Sequence, residues 1–208
     1  MRIRPCSSKR IRSNAYQPNE SERIGAMSQL RIAVHPVTPD RWPDLARLFE
    51  ARGGPHFCWC TPYRFHGSHR MSKEAKRSAM TRLVEGETPV GVLAYVEEEP
   101  VGWCSVAPRE TYQKLDRSRT MPRVTHEPTW RVLCFFVRRD LRRRGVAAAL
   151  LRGAIGYARE RGAVVIEGYP FDTAGISSVH RGPSTLFRGA GFRQEGKRWL
   201  LNLAWIGR

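Results

Sequence analysis

Arginine supplies five of the seven residues at positions 138–144, and Gly145 follows at once, opening an apolar helical pattern. Five guanidinium groups would be costly in a core, so this turn must face either solvent or an anion. Amides at a helix start lack internal acceptors, the helix dipole adds partial positive charge, and a residue as small as Gly145 leaves the backbone approachable; together they form a cradle for a diphosphate. The alternative is a solvated turn with a capping glycine. A second group, His56, Cys58, Cys60, His66 and His69, places five soft or borderline metal ligands within 14 residues. Zinc accepts four such groups. The Cys-x-Cys and His-x-x-His intervals are not the usual finger spacing, however. Phe57, Trp59, Tyr63 and Phe65 are interleaved with them, so the segment reads as an aromatic pocket wall and no metal is expected.

These side chains need elements to position them. The alternation from Leu30 to Val37 predicts a first strand, and Asp40 can cap a helix from about Trp42 to Ala51 that Gly53-Gly54-Pro55 ends. A second helix is expected from Ser72, its cap, to Glu85, closed by Gly86. Val90 to Val96 and Val101 to Ala107 read as an antiparallel hairpin. The nearly all-apolar run from Trp130 to Val137 suits a strand buried on both faces, the centre of the sheet. Gly145 to Glu160 carries the spacing of a helix with one face on a sheet, and Val164 to Tyr169 is a further strand, giving a parallel strand-helix-strand unit. A short helix near Ser184 to Gly189 and one or two strands between Phe192 and Trp205 complete a mixed α/β order.

The chain has 208 residues, enough for one ordinary domain with a tail. Residues 1–26, basic and without apolar periodicity, read as a disordered tail, and residues 27–208 as the domain. Hydrophobic residues at 41% and charged residues at 26% permit a core and exclude wholesale disorder. No apolar run is long enough to span a bilayer, and five scattered cysteines indicate no disulfide framework, so no membrane role and a cytoplasmic location are expected. The formal charge of +17 attracts nucleic acid or any phosphorylated ligand. A basic nucleic-acid-binding or regulatory module is therefore the competing function class. Against it, no helix-turn-helix or RNA-binding signature is present and the 31 arginines are spread along the chain.

Arg142-x-x-Gly145-x-Ala147, after an apolar strand and before an amphipathic helix, resembles the acetyl-coenzyme A signature of the GNAT superfamily of N-acetyltransferases, Q/R-x-x-G-x-G/A. The element order and the late Leu186-Phe187-Arg188-Gly189-Ala190-Gly191-Phe192 segment are similar to that family's plan. Phe57-Cys58-Trp59-Cys60 with Tyr63-Arg64 is similar to an uncharacterised bacterial subgroup of it. The resemblance implies an α/β (α+β) fold with a mixed, mostly antiparallel sheet, a central parallel strand-helix-strand unit and helices on both faces. It implies acetyl transfer from acetyl-CoA, as cosubstrate, to a primary amine. The amides of Arg143, Arg144, Gly145, Val146 and Ala147 would hold the pyrophosphate, with Arg142 supporting the loop or pairing with a phosphate. Main-chain groups of Phe135, Phe136 and Val137 would pair with the pantetheine arm, and Trp59, Tyr63 and Arg64 would line the acceptor site.

An amine acceptor must lose a proton, and the family often uses a Glu for this. Glu167 and Glu127 are the candidates here; a buried Glu167 would be raised toward neutrality, whereas a solvent-facing or Arg-paired one would be structural. The family's proton-donating Tyr position is Phe187, which leaves Tyr169, Ser184 or water. His180 stands roughly where the family has an Asn. The acceptor could be a small molecule or a peptide amine, and a homodimer could use the apolar segment Trp199 to Trp205.

Overall fold

Strand β4 (Thr129–Val137) is buried along almost its whole length, as its apolar run requires, and every other element is arranged around it. The structure is a computed structural model, described over residues 30–116, 125–172 and 180–205. The tail expected at residues 1–26 lies outside the described residues, and the unit considered below is residues 31–208.

The elements run β1 (Ile32–Pro36), α1 (Trp42–Glu50), α2 (Lys73–Glu85), β2 (Val92–Val96), β3 (Glu99–Pro108), the short turn of helix α3 (Gln113–Asp116), β4, α4 (Val146–Glu160), β5 (Val165–Gly168), α5 (Ser184–Gly189), β6 (Arg193–Glu195) and β7 (Arg198–Asn202). The seven strands form one sheet in the order β1-β2-β3-β4-β5-β7-β6. All neighbours are antiparallel except β4 and β5, which run parallel and are joined through α4. This is the mixed, mostly antiparallel α/β sheet with a central strand-helix-strand unit that the sequence suggests.

The two faces are covered by different helices. Leu93, Tyr95 and Trp103 pack with Leu45, Leu48 and Phe49 of α1 and with Met80 and Val84 of α2. One residue along, Gly102 faces the other way. A β-carbon there would stand 3.0 Å from Leu150 and from Val146, so the missing side chain is what lets α4 lie close on β3.

Ser72 caps α2 as expected, its Oγ accepting from the Ala75 amide at 3.1 Å. Ser72→Ala should cost about 1 kcal/mol, read as a lower denaturation midpoint at constant slope; an unchanged midpoint would mean the cap is replaced by water. Asp40 is not a cap. It sits inside a 3-10 turn, Pro39–Arg41, whose rigid proline already sets the entry to α1, and no side chain caps either end. In the segment considered for a dimer contact, Trp199, Leu201 and Leu203 are turned into the chain's own core.

Candidate active site

The pairing of β4 with β5 ends early. Thr129 to Val132 match Val165 to Gly168, and beyond Val132 the two strands part. The last residues of β4 therefore present one backbone edge with no strand beside it. Arg138 N–H donates to the Val101 carbonyl on β3. By alternation the groups of Phe136 also face β3, while those of Phe135 and Val137 face the split. Phe136 is thus removed from the expected edge contacts. The Phe135 amide is also engaged, donating to the His180 carbonyl at 2.6 Å. The Val137 carbonyl accepts from Arg142 Nε at 3.1 Å. Among the described residues, the Val137 amide and the Phe135 carbonyl face the split without a backbone partner, and the Cys134 thiol lies 3.9 Å from the latter.

β4 leads into the Arg-rich turn. Arg138 and Asp140 form a two-pronged ion pair at 2.8 to 2.9 Å, whose hydrogen bonds hold the Asp140 carboxyl below its ordinary range. Arg143 and Gly145 both adopt left-handed backbone, φ 59° and 85°. Such a reversal just before a helix turns successive N–H groups toward one point, as in anion-binding nests. No backbone carbonyl among the described residues accepts from the amides of Arg143, Arg144 or Gly145. The amides of Val146 and Ala147 open α4 and have no acceptor four residues back.

A pocket of about 450 Å³ lies over this turn, lined by Phe135, Phe136, Val137, Leu141, Arg142, Arg143, Gly145, Val146 and Ala147 from the strand, turn and helix, by Phe57 and His180 from the facing loops and by Leu186 of α5. Its size falls in the usual range for ligand sites, roughly 300 to 1,000 Å³. The expected cofactor residues are brought together here, except Arg144, whose side chain is exposed and outside the lining. Arg142 supports the loop through Val137.

A smaller cavity, about 220 Å³, adjoins it and shares Phe57 and His180. Its walls include Tyr63, Tyr112, Leu133, Cys134 and Arg181. Of the expected acceptor residues only Tyr63 lies here, its hydroxyl accepting from Arg181 Nη2 at 3.1 Å. Trp59 does not: it is 1% exposed, packed between Trp42 and Phe49. Arg64 is likewise 1% exposed and serves as an internal tie, donating to the Val90 carbonyl at 2.7 Å and lying over the Tyr112 ring. Both are corrected to core roles, because the loop between α1 and α2 folds inward between the helices and the sheet.

The Cys58 thiol is held above its usual range by its hydrogen bond with Cys60 and by burial, and that of Cys60 by its hydrogen bond with Cys134. They are neutral wall groups. His66 and His69 are exposed, and among the described residues no group of three or more potential ligands is placed to hold a metal.

Glu167 is fully buried and lines neither the pocket nor the cavity. Its Oε1 accepts from Arg109 Nη1 at 2.8 Å and from Arg131, its register neighbour on β4. Its Oε2 accepts from the Tyr169 hydroxyl at 3.2 Å, and burial pushes that phenol up, so it stays protonated. This is the Arg-paired alternative for Glu167, and it ties Tyr169 to the same cluster. Glu127, the other candidate base, is exposed. Phe187 is buried between Phe135 and Phe192. Sequence reasoning gave no role to Arg109, Arg131 and Arg181; the signal for Arg131 was an arginine inside an otherwise apolar central strand.

A family model described as the acetyltransferase (GNAT) family matches residues 45–175. Among solved structures, the chain is similar to the aminoglycoside N-acetyltransferase AAC(6')-Iy in complex with CoA, at 12% identity and TM-score 0.52, covering 81% of this chain and 92% of that one. A putative acetyltransferase from Acinetobacter baylyi ADP1 is similar at 15% identity and TM-score 0.51, covering 85% and 94%. A ribosomal-protein-alanine N-acetyltransferase from Brucella melitensis aligns at 16% identity and TM-score 0.49, covering 82% and 99%. At such identities the likeness is one of fold. No curated protein matches the chain.

Proposed function

The chain belongs to the GNAT acetyltransferase family, and on that premise we propose that it moves an acetyl group from acetyl-CoA to an amine bound in the cavity beside β4. The observation that carries this reading is the pocket that runs from the cradle at Gly145 to the split edge of β4 and shares Phe57 and His180 with that cavity. The residues fit the cosubstrate: unpartnered amides and surrounding arginines for two phosphates, then a strand edge for an extended amide-bearing arm.

In the transfer the amine nitrogen bonds to the acyl carbon, the carbon–sulfur bond breaks, and the proton lost by the amine ends in solvent while the CoA thiolate gains one. The chain's part is to orient and to supply dipoles. The amides of Arg143 to Ala147 hold the phosphates, and the Val137 amide fixes the arm. The Phe135 amide points into the junction of pocket and cavity. The His180 carbonyl already shows that an acceptor fits there at 2.6 Å, and an acyl carbonyl in its place would be polarised in the manner of an oxyanion hole. His180 is also the histidine that lines both spaces, and we assign it the role of taking the amine proton. Tyr169 has its hydroxyl on Glu167 and Phe187 has none, so the departing thiolate draws its proton from solvent.

Titration calorimetry with acetyl-CoA, followed by a thiol-release assay over a panel of amines, tests this. One-to-one binding with amine-dependent thiol release is expected. Absence of acetyl-CoA binding would overturn the reading, and salt-sensitive DNA binding in its place would favour the nucleic-acid module.

A further inference from the structure

The cavity that receives the acceptor has an unusual charge pattern for a site that must attract amines. Its described walls are mostly apolar or aromatic, with the hydroxyl of Ser105, one guanidinium, that of Arg181, and no Asp or Glu. Among the described lining residues a polyamine or another polycation would therefore meet no carboxylate, one guanidinium, and a chain of formal charge +17 on approach.

We infer that the acceptor is a small amine that carries its own carboxylate, of the apolar or aromatic α-amino-acid class, with that carboxylate on Arg181 and its apolar body in the cavity. This rests on the acetyl-transfer reading above. Arg181 is half-buried, and its bond to the Tyr63 hydroxyl fixes one edge of the guanidinium. A fixed planar fork is what bidentate carboxylate recognition uses. Arg181 and His180 both line the cavity, and His180 also lines the pocket, so a carboxylate held on Arg181 leaves the amine of a compact acceptor free to face the junction. Leu133, Tyr112 and Phe57 offer apolar surface for the rest; Phe57 is 54% exposed, an aromatic ring open at the mouth. The volume of about 220 Å³ lies below the range of drug-sized ligand sites and suits a compact acceptor. Asp172, the acid nearest Arg181 in sequence, lines a different groove that Arg181 also borders, and its carboxylate accepts from the Ser184 amide at 2.7 Å.

The test compares L-phenylalanine, its decarboxylated counterpart 2-phenylethylamine, and spermidine as acceptors in the thiol-release assay. Phenylalanine is expected to exceed phenylethylamine at least tenfold in kcat/KM, with spermidine lower still. Arg181→Ala should bring the phenylalanine to phenylethylamine ratio close to one, and Arg181→Lys should keep part of the preference. Because the ratio is read within one preparation, a partly folded variant lowers both rates and leaves the ratio intact. A preference for spermidine, or an Arg181→Ala variant that keeps the wild-type ratio, would overturn the inference. So would acetyl-CoA binding without turnover of phenylalanine, which would leave the transfer reading standing. Loss of acetyl-CoA binding altogether would instead remove that reading and this one with it.

Discussion

Gly145→Val should weaken acetyl-CoA binding at least a hundredfold while leaving the chain folded. Gly145 holds φ 85° at the N-cap of α4, a conformation that costs an ordinary residue about 1–2 kcal/mol and a β-branched one more. A β-carbon built there meets no atom within 4 Å, so the added side chain does not collide with the protein. Gly145 lines the pocket, so the side chain takes up space beside the amides proposed to hold the phosphates. The strain alone would lower Tm by roughly 2–8 °C, at about 2–4 °C per kcal/mol for a chain of this size. Gly145→Ala carries the strain with little of the bulk and should fall between the two. Calorimetric affinity beside a thermal melt separates the effects: a large loss of affinity with a small loss of Tm supports the cradle, and unchanged affinity in the valine variant would sink it.

The parts of this protein that were legible in its sequence are those governed by local rules. The apolar run of β4, the Ser72 cap and the glycine that opens α4 each answer to chain neighbours within a few residues, and each is found where the pattern puts it. Residues whose role depends on distant partners were not legible. Trp59 and Arg64 have the types of a binding wall, but Arg64 finds its acceptors on β3 and in the loops around it, across as many as 48 positions of sequence, and both are sealed in the core. Phe135 and Phe136 look equivalent as neighbours on one strand. The alternation of the backbone sends one toward the split and the other toward β3. Arg181 and His180 became candidates for acceptor and proton only once the split between β4 and β5 brought their loop to the strand edge.

Glu167 is where the structural and catalytic readings make opposite predictions. Its carboxylate pairs with Arg131 and Arg109, two guanidinium groups that are 0% and 1% exposed. Removing one partner from a buried ion pair typically costs about 3–5 kcal/mol, because the remaining charge is left without compensation. Glu167→Gln keeps the shape and removes the charge, so it should lower Tm by roughly 6–20 °C at about 2–4 °C per kcal/mol. The fraction that stays folded should retain acetyl-CoA affinity and a kcat within a few-fold of wild type, since Glu167 touches neither the pocket nor the cavity. A general base would behave in the reverse way, with kcat down on the order of 10²–10⁴-fold and Tm little changed. Replacing the trio together, Arg109→Leu, Arg131→Met and Glu167→Leu, should recover much of the lost Tm, because an apolar group of similar volume owes no desolvation. If the triple variant melted below Glu167→Gln, the cluster would have to be contributing net stability through contacts beyond the ion pairs, and its burial would need a different explanation.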